Sequence, residues 1–156
     1  MLAKLQERRS TLKDESAFTL IELLVVLIII GVLLAIAIPS YLGFQKKAQQ
    51  TAAASDVREA IPDATAYYSD NNSYAGLSTN GIAALQGYDN GLQQYTAATA
   101  SAPEQPGILT VTGGATTYCI SAQDGTNFAY VVGPGGQVHS GSTVTGDYCT
   151  ATYTPS

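Results

Sequence analysis

Phe18-Thr-Leu-Ile-Glu-Leu-Leu-Val-Val-Leu-Ile-Ile-Ile-Gly-Val-Leu-Leu-Ala-Ile-Ala-Ile38 is a run of 21 residues with one ionisable side chain, Glu22. As a helix it rises about 31 Å, the thickness of one bilayer hydrocarbon core, so it is long enough to span a membrane. A carboxylate costs roughly 2.5–3.5 kcal/mol near the centre of such a span and less near its end. Glu22 is therefore a functional candidate, and the question it poses is what partners it.

Lys4, Arg8, Arg9 and Lys13 precede the run, and Lys46 and Lys47 follow it. This basic bias predicts a cytoplasmic N-terminus. Three readings fit. The run is a plain membrane anchor, or it is a secretory signal, because Ala35-Ile-Ala37 has the small-x-small form of a cleavage site. Against the signal stand Glu22 itself, the leader acids Glu7, Asp14 and Glu15, and Pro39 beside the cut. In the third reading a leader is removed before Phe18 and the run is kept. That cut leaves an ammonium on Phe18, one helical turn from Glu22, in a region with no other nearby cation. It is a natural partner for the carboxylate, in the same chain or in a neighbour.

The stretch Ser16-Ala-Phe-Thr-Leu-Ile-Glu through Pro39-Ser-Tyr41 resembles the N-terminal signature of type IV pilins and the related pseudopilins. The resemblance implies cleavage by a prepilin peptidase between Ala17 and Phe18, N-methylation of Phe18, and pairing of Glu22 with the Phe18 amine of an adjacent subunit during assembly. Pro39 matches the proline near which the family's helix can unwind in filaments. The residue before the cut is usually glycine in the family and is Ala17 here; alanine is the nearest small residue, and processing is still expected. Tyr67-Tyr-Ser-Asp-Asn-Asn-Ser-Tyr-Ala-Gly76 is similar, more weakly, to the pattern that follows the long helix in many members.

Beyond Pro39 the chain continues helically to Tyr68. Alanine is abundant, and Val57, Ile61, Ala64 and Tyr68 recur at helical spacing as one apolar stripe. From Phe18 to Ser69 such a helix is about 75 Å long, with Gly31 and Pro39 as soft points and Pro62 as a kink or a new start. Asp70-Asn-Asn-Ser73 reads as a helix stop. Thr79–Gly87 is a candidate short helix and Thr96–Gly107, with Pro103 and Pro106, a loop. Strands are predicted at Ile108–Thr112, Thr117–Ala122, Phe128–Gly133, Gln137–Ser140 and Cys149–Tyr153, with turns at Gln-Asp-Gly-Thr126 and Gly-Pro-Gly-Gly136. Cys119 and Cys149 read as a disulfide if this half lies outside the membrane, and as a buried pair of free thiols otherwise.

The net charge is −5, from 7 basic and 12 acidic residues, and after Arg58 there is no Lys or Arg. An acidic tail of this kind offers no footprint for nucleic-acid phosphates. His139, the only histidine, has no acid or cysteine near it in sequence and reads as a solvated or structural residue rather than a catalytic one. Asp70, Asn71 and Asn72 lack the spacing of a calcium loop, and the Gly-rich segments lack the following Lys of a phosphate loop. No catalytic constellation, metal-ligand set or cofactor motif emerges.

The expected fold is α+β: a long N-terminal helix packed on a small antiparallel sheet. Its expected segments are a leader (1–17), a membrane or filament-core helix (18–38), an amphipathic continuation (39–69), and a globular head (70–156). The head would hold an αβ-loop, a β-meander and a disulfide-closed C-terminal region. The function implied by the resemblance is a non-enzymatic structural subunit of a type IV pilus, with surface roles such as adhesion, twitching motility or DNA uptake. A type II secretion pseudopilin or a competence pilin is the alternative. A membrane-anchored or secreted binding domain that never polymerises is the alternative from another class. The implied partners are further copies of the chain, the prepilin peptidase, an inner-membrane assembly platform with its ATPase, and the membrane before assembly. The implied location is the cytoplasmic membrane and then an extracellular filament.

Overall fold

A computed structural model of the chain describes residues 18–97, 105–142 and 148–151. The expected leader, Met1–Ala17, lies outside the described residues, as do 98–104 of the expected loop. Helix α1 (Leu20–Asn71) is followed by short helices α2 (Leu77–Asn80) and α3 (Ile82–Gln86). Strands β1 (Gly107–Gly113), β2 (Tyr118–Asp124), β3 (Asn127–Gly133) and β4 (His139–Gly141) come next, and a single helical turn α4 (Tyr148–Ala151) ends the described chain. The sheet is an antiparallel meander in the order β1-β2-β3-β4. The fold is α+β, as the periodicity predicts. The chain divides into two units, Met1–Leu42 and Gly43–Ser156.

In the first unit no described residue covers α1. Every residue from Leu20 to Ile38 is exposed, and this stretch is long and apolar enough to cross a membrane. The helix continues unbroken through Gly31 and Pro39, and in the second unit through Pro62.

In the second unit α1 buries Ala53, Ala54, Val57, Ala60 and Ala64. The spacing 53, 57, 60, 64 is the i, i+4, i+7, i+11 face of a helix. Alanine suits it twice, as the best helix former and as a side chain short enough to let a sheet approach closely. Tyr67 extends the packed face and Ile61 flanks it, whereas Tyr68 is exposed and stacks instead on Tyr74, with ring centroids 4.7 Å apart. The sheet answers with Ile108, Val111, Tyr118, Ile120, Ala122, Ala129 and Val131, all buried against the alanine face. Tyr74, Leu77, Leu85 and Leu92 close one end of this core. Desolvation pushes the Tyr118 phenol up to about 12. The helix stops as predicted: Asn72 takes φ +53°, and its N–H donates to the Tyr68 carbonyl at 2.7 Å, an αL cap in which asparagine substitutes for glycine.

Two strand expectations change. The fourth strand starts at His139 rather than Gln137, because Val138 packs toward the core and pairing with β3 covers only Phe128–Tyr130. The segment from Cys149 is helical where a strand was expected; Thr152 and Tyr153 lie outside the described residues. The reason is that Cys149 is bonded to Cys119 and Tyr148 stacks on Tyr130. Cys119 and Tyr130 both point to the sheet face away from the alanine stripe, so the segment lies across that face and adds no strand to the edge. The turn between β2 and β3 has positive φ at Gly125 and not at Thr126, the II′ hairpin pattern.

Gly113 ends β1 where the chain passes the backbone of Tyr74, and a Cβ there would collide with the Tyr74 carbonyl oxygen. Backbone cannot rotate aside as a side chain can. Gly113→Ala is expected to cost about 1–3 kcal/mol and to lower the Tm of the detergent-solubilised chain by about 5 °C or more; an unchanged melt would show that the two segments have room to part.

Asp56 and Asp63 are half-buried on α1, each with one carboxylate oxygen shielded and without a hydrogen bond. Burial raises both above the ordinary carboxylate range; Glu59 and Asp124 add to this at Asp56, Asp89 and Glu59 at Asp63. A raised folded-state value means that folding favours the protonated form. Stability from these groups is full below their unfolded value of about 4 and falls as pH rises through the folded values. Asp56→Asn is therefore expected to melt higher than the parent at pH 7 and to lose that advantage near pH 4, as thermal melts across the range would reveal.

Candidate functional site

The sequence points to the start of α1, where the chain places Phe18, Thr19 and Glu22 at the head of the apolar run. Thr19 is the N-cap: its carbonyl accepts the first helical hydrogen bond, from Leu23 N–H at 3.4 Å. The Thr19 hydroxyl oxygen accepts from Glu22 N–H at 3.3 Å, and Glu22 Oε2 accepts from Thr19 N–H at 2.8 Å. The hydroxyl also donates to Oε2 at 2.8 Å. This is a reciprocal capping box, in which each residue satisfies a backbone N–H that the first turn would otherwise leave unpaired. In lipid, where no water competes, such groups are costly to leave open.

Glu22 therefore has a partner in its own chain, independent of any cleavage. The sequence reading missed Thr19 because it sought a cation. The signal was present in Thr19-Leu-Ile-Glu22, the S/T-x-x-E pattern directly before an apolar run. Both bonds to the carboxylate go to Oε2, and no described residue hydrogen-bonds Oε1. Phe18 is exposed beside this cap, and Leu20, Ile21 and Leu23 are exposed around it.

The remaining site candidates are dispersed. Gly31 has open space where a side chain would sit. Pro39 lies within the continuous helix, far along it from Glu22. Cys119 and Cys149 form the disulfide that fastens α4 to β2. His139 is exposed on β4 and stacks on Tyr130, ring centroids 5.2 Å apart. Among the described residues no group of three His, Cys, Asp or Glu side chains is placed to hold a metal ion.

Comparison with known proteins agrees with this location. A family model described as the prokaryotic N-terminal methylation motif matches residues 12–38. The chain is 40% identical over 63 residues to a type IV wide pilus major component of Thermus thermophilus, covering 40% of this chain and 48% of that protein. It is 37% identical over 70 residues to a type II secretion system core protein G of Aeromonas hydrophila, covering 45% and 46%. It is 50% identical over 46 residues to a fimbrial protein of Pseudomonas aeruginosa, covering 30% of each. The chain spans about half the length, or less, of these relatives. No solved structure matches it significantly.

Loss of the capping hydroxyl is expected to cost about 1 kcal/mol. In detergent micelles Thr19→Ala should speed amide exchange at Ile21 and Glu22 about fivefold, whereas Thr19→Ser should not; equal protection in all three chains would mean that the cap does not hold the first turn. The chain thus carries the prokaryotic N-terminal methylation motif at residues 12–38 and, over half or less of its length, is similar to type IV pilus, fimbrial and type II secretion core proteins.

Proposed function

We propose that this chain is the structural subunit of a type IV pilus filament. The observation that carries the reading is the apolar half of α1, which matches the methylation motif and is covered by nothing in its own chain among the described residues. In lipid such a helix gains little from meeting another helix. In a fibre the apolar faces of neighbouring helices pack together and stay dry. The disulfide is in keeping with a head outside the cytoplasm, and with an N-terminus on the cytoplasmic side of the membrane before assembly.

The sequence of events has three stages. A prepilin peptidase removes residues 1–17 by cutting between Ala17 and Phe18. The new Phe18 amine is N-methylated. An assembly platform with its ATPase then moves the subunit from lipid into the filament, where the head becomes part of the outer surface. The segments 18–38, 39–69 and 70–156 serve as filament core, amphipathic continuation and head, with Gly31 and Pro39 as the points where the core helix yields under tension. The role is structural, not enzymatic.

Within the filament Glu22 is a buried charge, and without a partner it costs several kcal/mol. The capping box uses Oε2 and leaves Oε1 for the Phe18 ammonium of a neighbour. Only one axial offset between neighbouring helices brings that ammonium to Oε1, so the pair sets register. Glu22→Ala is expected to leave membrane insertion intact and to reduce sheared filament by about tenfold or more; wild-type filament yield from that variant would refute the register role. The intact mass of the mature chain tests the processing: a methylated Phe18 start is expected, and an intact Met1 or a start at Ile38 would sink it.

A second reading, a type II secretion pseudopilin, is favoured by the similarity to the core protein G sequences. Imaging of sheared surface material separates the two, since a pseudopilus leaves no long surface fibres.

A further inference from the structure

The head segregates its charge onto two flanks of α1. Over residues 47–63 the stripe Ala53, Val57 and Ala60 is buried. At about 100° per residue, Lys47 and Arg58 project to one side of that stripe and Asp56, Glu59 and Asp63 to the other. Lys46, Lys47 and Arg58 are the only Lys and Arg from Phe18 onward, so the basic flank concentrates most of the positive charge of this part of the chain.

Each flank forms one wall of a groove. On the basic side a groove of about 220 Å³ is lined by Lys47, Gln50, Thr51, Ala54 and Arg58 of α1 and by Ser140 of β4. On the acidic side a groove of about 190 Å³ has Asp56 and Glu59 on one wall and Gly91–Gln93 and Pro106–Ile108 on the other. The two edges of the sheet differ in the same sense. Beside β1 the segment Gln93–Tyr95 exchanges backbone hydrogen bonds with Ile108. Strand β4, only three residues long, has β3 on one side and, among the described residues, ends the sheet on the other. The acidic flank is also a surface of mutual repulsion, since Glu59 raises both Asp56 and Asp63.

We propose that the basic groove beside β4 of one subunit docks onto the acidic groove beside β1 of a second copy of this chain. The inference rests on the filament reading above and adds to it a head-to-head contact. The two surfaces are complementary in charge and lie on different sides of one head, so the contact is heterologous, the kind that propagates into an open filament and does not close as a two-fold dimer. Docking would place cations against carboxylates that repel one another in the single subunit, and would cover the edge of β4. Isolated exposed ion pairs contribute little; here the effect repeats at every subunit and carries orientation, because a reversed head would set like charges together.

The test uses the full chain in a host that assembles it into surface filaments. Lys47→Glu with Arg58→Glu sets like charges together and is expected to lower sheared filament yield about fivefold or more. Adding Asp56→Lys and Glu59→Lys, which exchanges the two flanks, is expected to recover yield to within about twofold of wild type. Independently of any variant, carbodiimide treatment of wild-type filaments should join the Lys47 amine to Asp56, Glu59 or Asp63 of another copy, giving a covalent ladder and a linked peptide identifiable by mass. Wild-type filaments without that linkage, or a charge-reversed chain that assembles normally, would overturn the contact while leaving the filament reading in place. A wild-type chain that forms no filament would overturn the filament reading, and the contact with it.

Discussion

An apolar helix must be covered along its length, and α1 meets that requirement differently in its two halves. From Ala53 to Ala64 the cover is the chain's own sheet, brought close by a face of alanine and one valine. From Leu20 to Ile38 there is none among the described residues, and all sides of the helix are apolar and exposed. The head's architecture follows from the Ala53–Ala64 half: four short strands in a meander are enough to bury one narrow stripe, and the disulfide and α4 lie across part of the sheet face that the helix does not use, where Val132 stays exposed. The Leu20–Ile38 half leaves a requirement that only lipid or other helices can satisfy.

The capping box changes what Glu22 means. A lone carboxylate in a membrane span is an anomaly that calls for a cation. Thr19 shows that part of its role is local, because the first turn of any helix leaves N–H groups open and an apolar setting makes them costly. A side chain with two oxygens can cap its own helix with one and still present the other. The capping role and the proposed register role are therefore compatible demands on the same residue.

On the head, Asp56, Glu59 and Asp63 crowd one flank of α1, at a cost to the isolated subunit that shows in the raised values of Asp56 and Asp63. Arg58 lies two residues from Asp56 and Lys47 nine, about 200° and about 180° round the helix, so both face the other way. A surface optimised for the monomer would interleave these signs. Their separation makes sense where the neighbouring surface is another copy of the chain.

Much of this was legible in the sequence, because the signals are local. The length and polarity of Phe18–Ile38, the alanine-rich helical period after it, the Asn-rich stop, the Asp-Gly turn and three of the strands depend on neighbours a few residues away, and each appears within a residue or two of its expected place. The capping pattern Thr19-Leu-Ile-Glu22 was legible too, though it was not recognised. Decided only by tertiary structure were the features that join distant segments. These are the choice of Tyr67 over Tyr68 for the core, the shortening of β4 by the packing of Val138, and the helical turn at Tyr148–Ala151 held across the sheet by Cys119 and Tyr130. The same holds for the placing of the basic flank beside β4 and the acidic flank beside β1. Periodicity says which residues share a face; which surface that face meets depends on contacts between residues far apart in the chain, and these exist only once the chain has folded.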